Sequence, residues 1–549
     1  MIIDEQDVAQ VAAAMLSVHQ SDLARLRKID NYISGKHAPP YVPTKGATQE
    51  YRWIRQRSVR NFLPLILSVI SQNLHVDGYR RSDAPVDETG FGAEPDPSWD
   101  AFRANRMISR QHGIHRATLK HGVSYVTVMP GTMAVGEEQK QMPVISPVSA
   151  GRMSALYADA VNDEWPQLAV EVTQLNDSAA PGKVRTMVTV YDDDKRYILM
   201  SQSGSNAALP LEIADSDDPY LNGKSPVASH GLGVCPVVRF LHEYDLDGEN
   251  VSGEIEPLIV IQDQINFDTF NLMMAEQFAS FRQRWVTGIA AVDEQGRSAE
   301  PFRPGVDRMF ASDDAATKFG EFDATPLSPY IDSREAGIRH MSTISQVPPF
   351  HLLGQIANLS AEALAAASDG LSRKVDEEKA MLTDSWRNTF RLCSKAAGDT
   401  DGWNDLNGVV VWRDTSPRSF AATIDALGKV AQMLGVPVEE LWARIPGVTA
   451  DDVDAWQQAR QRALAQATAD QAAKTALAVA AQQLASPYPP QPGAGGAPPG
   501  PGMGPPPNGQ QGTAGPQGGP PPPENPAIAA AQKMLAAPAP KGPGGKPPR

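Results

Sequence analysis

Cysteine is nearly missing from this chain of 549 residues: Cys235 and Cys393 are the only two, far apart and in no CxxC or Cys/His cluster. That excludes a disulfide-stapled fold and argues against a structural zinc site. Positive charge is short as well, since 49 Lys and Arg face 64 Asp and Glu for a net charge of −15. A protein that grips DNA phosphates without sequence preference draws its affinity from Lys and Arg that release counterions, so the chain as a whole does not read as a DNA binder. Long hydrophobic runs are absent too: the apolar stretch 62 to 70 spans nine residues, against the roughly 20 that a membrane-crossing helix needs. The first residues, Met1-Ile2-Ile3-Asp4-Glu5, carry neither the basic nor the apolar region of a secretory signal. The expectation is a soluble chain made in the cytoplasm. At about 150 residues per domain it has room for three or four domains, and no internal repeat is visible.

What is plentiful is proline and glycine, 47 and 44 residues, and they are unevenly spread. From Ser486 to the end, 64 residues hold 21 Pro and 14 Gly. Such a stretch has too few apolar side chains to offset the entropy of ordering and is expected to be disordered. Its one acid, Glu524, stands against Lys533, Lys541, Lys546 and Arg549, so the tail is +3 and the preceding 485 residues carry −18.

Before the tail, periodicity predicts a helix over 5 to 34 and another through Val59, Phe62, Leu63, Ile66, Leu67, Ile70 and Leu74, with Arg52, Arg55, Arg57 and Arg60 ahead of it. A third starts at Pro97-Ser98, with Ser98 as N-cap and Gly122 as its stop; a strand over 123 to 129 follows. Strand patterns at 168 to 173, 184 to 191 and 196 to 200 make a mixed α/β region, the last two joined by Asp192-Asp193-Asp194, read as a hairpin turn rather than a metal site. Residues 257 to 281 differ in kind, with Phe267, Phe270, Met274, Phe278 and Phe281 on one stripe and Leu258, Ile261, Ile265 and Leu272 on another. Apolar positions on two faces suit a helix packed between neighbours. Short strands and turns are expected over 285 to 325, and a helix over 331 to 345. Residues 346 to 359, with Pro348-Pro349 and Gly354, read as a loop richer in apolar residues than solvent exposure favours. A helix of about 38 residues then runs from an N-cap at Ser360 to Ala397, with a kink invited by Ser368-Asp369-Gly370. A strand at 409 to 412 and three helices, started by Ser416-Pro417, Pro437 and Thr449-x-x-Asp452, complete the ordered part.

Catalytic and ligand motifs fail on inspection. Gly223-Lys224-Ser225 resembles the end of a phosphate-binding loop, but Asp218 stands where its first glycine belongs and Pro226 where its helix begins. Gly231-Leu232-Gly233 lacks a third glycine and leads into a strand. His112, His115 and His121 share one predicted helix without a third ligand on one face, and read as partly exposed helix histidines. Asp245, Asp247, Glu249, Asn250 and Glu254 misplace the glycine of a calcium loop, Gly248, and read as an acidic lead-in to a helix. With no GxSxG and no HExxH either, the expectation is no catalytic residue, no cofactor and no metal site.

Five segments remain: Arg60-Asn61-Phe62 through Val76-Asp77-Gly78-Tyr79; Trp99 to Asn105 leading to His121-Gly122-Val123-Ser124-Tyr125-Val126; Gly233-Val234-Cys235-Pro236-Val237-Val238-Arg239-Phe240; Ser252-Gly253-Glu254-Ile255 leading to Gln262-Asp263-Gln264-Ile265-Asn266; and Trp412-Arg413-Asp414 leading to Ser419-Phe420-Ala421-Ala422. In that order, and with the element order above, residues 1 to 485 resemble the portal proteins of tailed double-stranded DNA bacteriophages, of the type found in long-tailed siphophages. The resemblance implies an α+β, predominantly helical portal fold with wing, stem, clip and crown, and a disordered Pro/Gly-rich C-terminal tail. It divides the chain into a wing (1–255), a stem helix (256–284), a clip of short strands (285–330), a second stem helix (331–345), a tunnel loop (346–359), a long kinked helix (360–398), a strand returning to the wing (399–415), a helical crown (416–485) and the tail (486–549).

The same resemblance implies a structural protein and not an enzyme: a dodecameric ring of identical chains at one capsid vertex, through which double-stranded DNA passes in packaging, retention and ejection. Its partners would be the large terminase subunit, the major capsid and scaffolding proteins and a neck or adaptor protein, with no membrane. Val347, Pro348, Pro349, Phe350, Leu352 and Leu353 become the candidate tunnel loop, with Val347, Phe350, Leu352 and Leu353 either closest to the channel or packed on the next subunit's long helix. Phe267, Phe270, Met274, Phe278 and Phe281 become the stem packing residues. Another structural head protein without a channel is the alternative. Twelve chains at −15 would place about −180 on a ring, where a duplex slides rather than sticks.

Overall fold

The structure is a computed structural model. It describes residues 1–40, 49–82, 96–135, 138–204, 207–247, 251–280, 284–288, 316–323, 325–354, 361–415, 420–442, 444–445, 448 and 450–484. The described residues fall into two units, one ending at Ala467 and the other starting at Thr468.

The chain opens with helices α1 (Val8–Ile33), α2 (Gln49–Arg57) and α3 (Leu63–Ser71), then β1 (Val76–Arg80), α4 (Pro97–Ala104) and α5 (Met107–His121). Strands β2 (Val123–Met129), β3 (Thr132–Val135), β4 (Glu138–Gln141), β5 (Val144–Ser149), β6 (Met153–Leu156), β7 (Leu168–Asn176), β8 (Val184–Tyr191) and β9 (Lys195–Ser201) follow, with β10 (Leu211–Ile213), β11 (Val227–Ser229) and β12 (Val237–Leu241). After them come α6 (Leu258–Ser280), the pair β13 (Arg284–Thr287) and β14 (Lys318–Glu321), α7 (Ser328–Ser345), α8 (Pro349–Leu353) and α9 (Ala361–Ala397). The chain continues through α10 (Thr400–Asn404), β15 (Val409–Trp412), α11 (Phe420–Leu434), α12 (Val438–Trp442) and α13 (Ala450–Leu484). Helix and sheet are thus mixed, with helix in the majority.

The sheets are antiparallel. The largest has the order β10-β9-β8-β7-β6, with β11 also on β9, and the first half of α1 lays Val8, Ala12, Met15 and Leu16 on its Leu168, Val170, Val188 and Val190. A second, β12-β2-β5, faces α5 and α9, and β1 pairs with β15. The main core gathers around α9, where Trp386 meets Phe102 and Phe240 edge-on (5.4 and 4.9 Å) and Phe390 stacks on Tyr79 (4.2 Å). Edge-to-face and offset packing are the arrangements the ring quadrupoles favour.

Several local expectations change for identifiable reasons. Asp96, not Ser98, caps α4: its carboxylate accepts the Ser98 amide (2.7 Å), while the Ser98 hydroxyl bonds Ser394 on α9 (2.7 Å). The single helix expected from Pro97 to Gly122 breaks into α4 and α5 at Arg106, which is left-handed (φ 58°). Buried Asn105 explains the break, because its side chain bonds the Pro143 carbonyl (2.8 Å) and the Ile145 amide (3.0 Å) of the β5 edge. Helix α3 begins only at Leu63 because the backbone before it is held by α6: the Arg60 amide donates to Asn266 (2.9 Å), the Phe62 amide to Gln262 (3.0 Å), and Gln262 donates back to the Arg60 carbonyl. The Asp192 turn is the expected hairpin; its buried carboxylate accepts the Asp194 and Lys195 amides (2.8 and 2.5 Å). The N-cap at Ser360, the starts at Ser416-Pro417 and Thr449, and the tail from Ser486 lie outside the described residues.

Candidate functional site

Helices α6 and α7 form an antiparallel pair. Ser333 of α7 meets Asp268 (3.2 Å), and four residues later Gly337 lies against Ile265, where an added Cβ would come within 3.1 Å of that side chain. Glycine here lets the two backbones approach. On the shared side Leu258, Ile265, Ile338 and Met341 are buried. On α6, Phe270 is buried and Met274 half-buried, whereas Phe267 is 46% exposed and Val260 75%. The side chain of Phe278, and Phe281 altogether, lie outside the described residues. Ile344 of α7 is 53% exposed. The pair therefore buries one side within its own chain and keeps apolar side chains on others.

Past α7 the chain reverses at Gln346, which is left-handed (φ 56°), and the Ser342 hydroxyl donates to the Val347 carbonyl (2.6 Å). The stretch expected as a plain loop contains a helical turn, α8, started by Pro349 and ended at Gly354 (φ 68°). Proline at the first helical position gives up an amide that has no partner there anyway. This turn sorts the apolar residues. Val347 and Leu352 enter the main core with Leu371 and Val375 of α9, so they are packed inside their own chain and not presented outward. Pro348 is buried and Pro349 exposed; Phe350 is half-buried beside the His351 ring (4.4 Å), and Leu353 is half-buried. Residues 355–359 lie outside the described residues.

Beneath this segment sits a cluster of charge that the sequence reading missed. Lys374 of α9 contacts Glu254 (2.5 Å) and donates to the carbonyl of Ser345 (3.2 Å), the last residue of α7. One turn along α9, Glu378 lies 2.5 Å from Nδ1 of His242, whose Nε2 is 3.7 Å from Glu254; the His242–Glu378 approach is a charge contact and not an aligned hydrogen bond. Burial opposes the charged form of His242, but the Glu378 and Glu254 carboxylates outweigh it and raise its pKa above the ordinary value. Burial raises the Glu254 carboxyl despite Lys374. Two glycines hold Glu254 in place. A Cβ on Gly253 would meet the Lys120 carbonyl at 2.5 Å, and one on Gly122 (φ 85°) the Ser252 carbonyl at 2.6 Å.

The histidines expected to be partly exposed divide. His112 is exposed, but His115 and His121 are buried, since the first lies between the Leu74 carbonyl and Trp386 and the second bonds Asp30 (2.9 Å). Among the described residues no group of three or more His, Cys, Asp or Glu is placed to hold a metal ion, and no helix is long and apolar enough to cross a membrane.

The sequence profile described as "Phage portal protein, SPP1 Gp6-like" matches residues 13–469. The chain belongs to the phage portal protein family. It is similar to the portal protein of Mycobacterium phage D29, 24% identical over 437 residues that cover 78% of this chain and 83% of that one. It is also similar to the portal protein of Mycobacterium phage L5, 26% identical over 437 residues covering 77% and 82%. Among solved structures, a chain from the virion of a native gene transfer agent particle aligns with a TM-score of 0.38 at 10% identity, covering 74% of this chain and 99% of that one. The portal family is a structural one.

Proposed function

We propose that this portal chain joins copies of itself in a ring around a channel at one capsid vertex. Double-stranded DNA passes through that channel in packaging, retention and ejection, and the ring docks the terminase and the head–tail connector. In this reading α6 and α7 are the stem, β13 and β14 belong to the clip, residues 1–255 and the strand β15 form the wing, and α11 to α13 the crown. The observation that carries it is the apolar surface left on the α6–α7 pair of a single chain, with Val260, Phe267 and Ile344 exposed. Large apolar side chains left exposed on a packed helix pair are suited to covering by another chain, and a heterologous contact repeated by rotation closes a ring. The tunnel segment then presents Pro349, Phe350 and Leu353, while Val347 and Leu352 anchor it.

Negative-stain images of the purified protein are expected to show rings with a central hole. The double variant V260D/F267D is expected to leave folded single chains. Wild-type protein that stays monomeric at high concentration at every salt would overturn the reading.

A further inference from the structure

Nothing in a passive conduit calls for four ionisable groups buried under the channel segment. His242 follows β12, Glu254 precedes α6, and Lys374 and Glu378 lie one turn apart on α9; their side chains are 11%, 7%, 15% and 6% exposed. Stripping water from such charges costs about as much as their attraction returns, so apolar packing of the same volume would serve stability as well. What the charges add is direction. Lys374 ties Glu254, at the foot of α6, to the Ser345 carbonyl that ends α7 and opens residues 346–354. A cation at a helix C-terminus also favours the exposed carbonyls there.

We propose that His242, Glu254, Lys374 and Glu378 form a proton-sensitive latch that seats residues 346–354 against α9. With His242 protonated, two positive and two negative groups balance, and Lys374 stays on Ser345. Loss of the His242 proton leaves the Glu378 carboxylate uncompensated in a buried site. Lys374, four residues before Glu378 on the same helix, is within one turn and placed to answer it. Swinging there releases the Ser345 carbonyl, the end of α7, and the segment that follows. Glu378, Glu254 and Lys374 are the charged groups facing His242 from α9 and from the stretch before α6; on the α5 side its backbone amide donates to the Gly122 carbonyl (2.9 Å). The raised pKa of His242 sets the direction: the latch is closed below it and opens as pH rises through it. The meaning of release for DNA rests on the channel reading above; the latch itself belongs to the single chain.

The test is hydrogen exchange of the amides in residues 346–354 of the purified full-length protein between pH 6 and 9, normalised to intrinsic rates. Wild type is expected to lose protection about tenfold or more across that range, the factor expected for giving up a hydrogen bond to a charged group. Glu378→Gln is expected to abolish the pH step and stay protected. Lys374→Met is expected to be unprotected throughout, and Lys374→Arg to restore protection. Flat protection in the wild type, or a pH step that survives Glu378→Gln, would refute the latch, as would a Lys374→Met protein that melts earlier with the segment still protected. A chain that shows the latch but never forms rings would refute the channel reading alone.

Discussion

The sharpest consequence of the core is an acid-labile histidine. His115 is completely buried, with Nδ1 3.1 Å from the Leu74 carbonyl and Nε2 2.9 Å from the indole nitrogen of Trp386. A carbonyl only accepts and an indole N–H only donates, so Nδ1 carries the proton and Nε2 offers its lone pair. A second proton would set two N–H groups against each other in a fully buried site. Burial accordingly pushes the pKa down to about 3. The unfolded chain protonates near pH 6.5, so between about pH 6.5 and 3 it binds more protons than the folded one. The stability held by neutral His115 is therefore intact above pH 6.5 and lost as pH falls towards 3. At about 1.4 kcal/mol per pH unit, the loss at pH 5 is about 2 kcal/mol.

The assay compares chemical denaturation at pH 7 and pH 5 for wild type and His115→Gln, whose side-chain amide keeps both a donor and an acceptor but does not titrate. His75, held down to about 4 chiefly by burial, remains in both proteins, so its contribution cancels to first order. The wild type is expected to lose about 2 kcal/mol more than the variant on acidification. Equal losses would refute the assigned tautomer and the buried neutral state.

Two further changes probe how distant segments are joined. Gly253→Ala drives a Cβ to 2.5 Å from the Lys120 carbonyl and 2.8 Å from the Gly122 amide, both backbone atoms, and is expected to cost about 1–3 kcal/mol in thermal or chemical denaturation. Gly113→Ala on the open side of α5, where nothing lies within 4 Å, is the control and is expected to be neutral or stabilising by up to about 1 kcal/mol. Gln262→Met keeps the volume but leaves the Phe62 amide and the Arg60 carbonyl without their partner; about 1–3 kcal/mol is expected for each group left unpaired, read as a lowered denaturation midpoint.

These sites show what the sequence made legible. The landmark segments stood out singly and in order, and in the fold they touch one another. Arg60-Asn61-Phe62 is clamped by Gln262 and Asn266; Gly122 and Gly253 press their backbones together; Val76 pairs with Trp412, with Arg413 on Asp77 at 2.7 Å. Each partner lies more than a hundred residues away in the chain, and hydrophobic periodicity reports only on neighbours within a turn or two. That is also why Gln262 and Asn266 stand out in the sequence only as part of a landmark segment, without a role: their carboxamides are buried because their partners arrive from elsewhere. Lys374 and Glu378 sit in the run Arg373-Lys374-Val375-Asp376-Glu377-Glu378-Lys379, which reads as a solvated face. What separates them is their side of the helix, flanking buried Leu371, Val375 and Leu382.

Helix α9 explains why a disturbance at residues 346–354 need not reach the core. Its C-terminal half is fixed by Trp386, Phe390 and Cys393, all fully buried, and by contacts with α4, β2, β12 and β15. Among its described side chains nearer the N-terminus, Ala366, Ala367, Asp369 and Gly370 are exposed, and the helix joins the main core from Leu371 onward. Helical bonding runs unbroken through Ser368-Asp369-Gly370, yet Ser368 and Ser372 turn their hydroxyls back to the carbonyls of Leu364 and Ser368 (3.0 and 3.2 Å). Such back-bonding bends helices easily. Bending there would absorb movement of residues 346–354 in the first turns of α9, ahead of Lys374. A latch at Lys374 is therefore placed at the boundary between the compliant end and the fixed one, where its contacts with Glu254 and the Ser345 carbonyl would decide whether the segment moves alone or stays with the body of the chain.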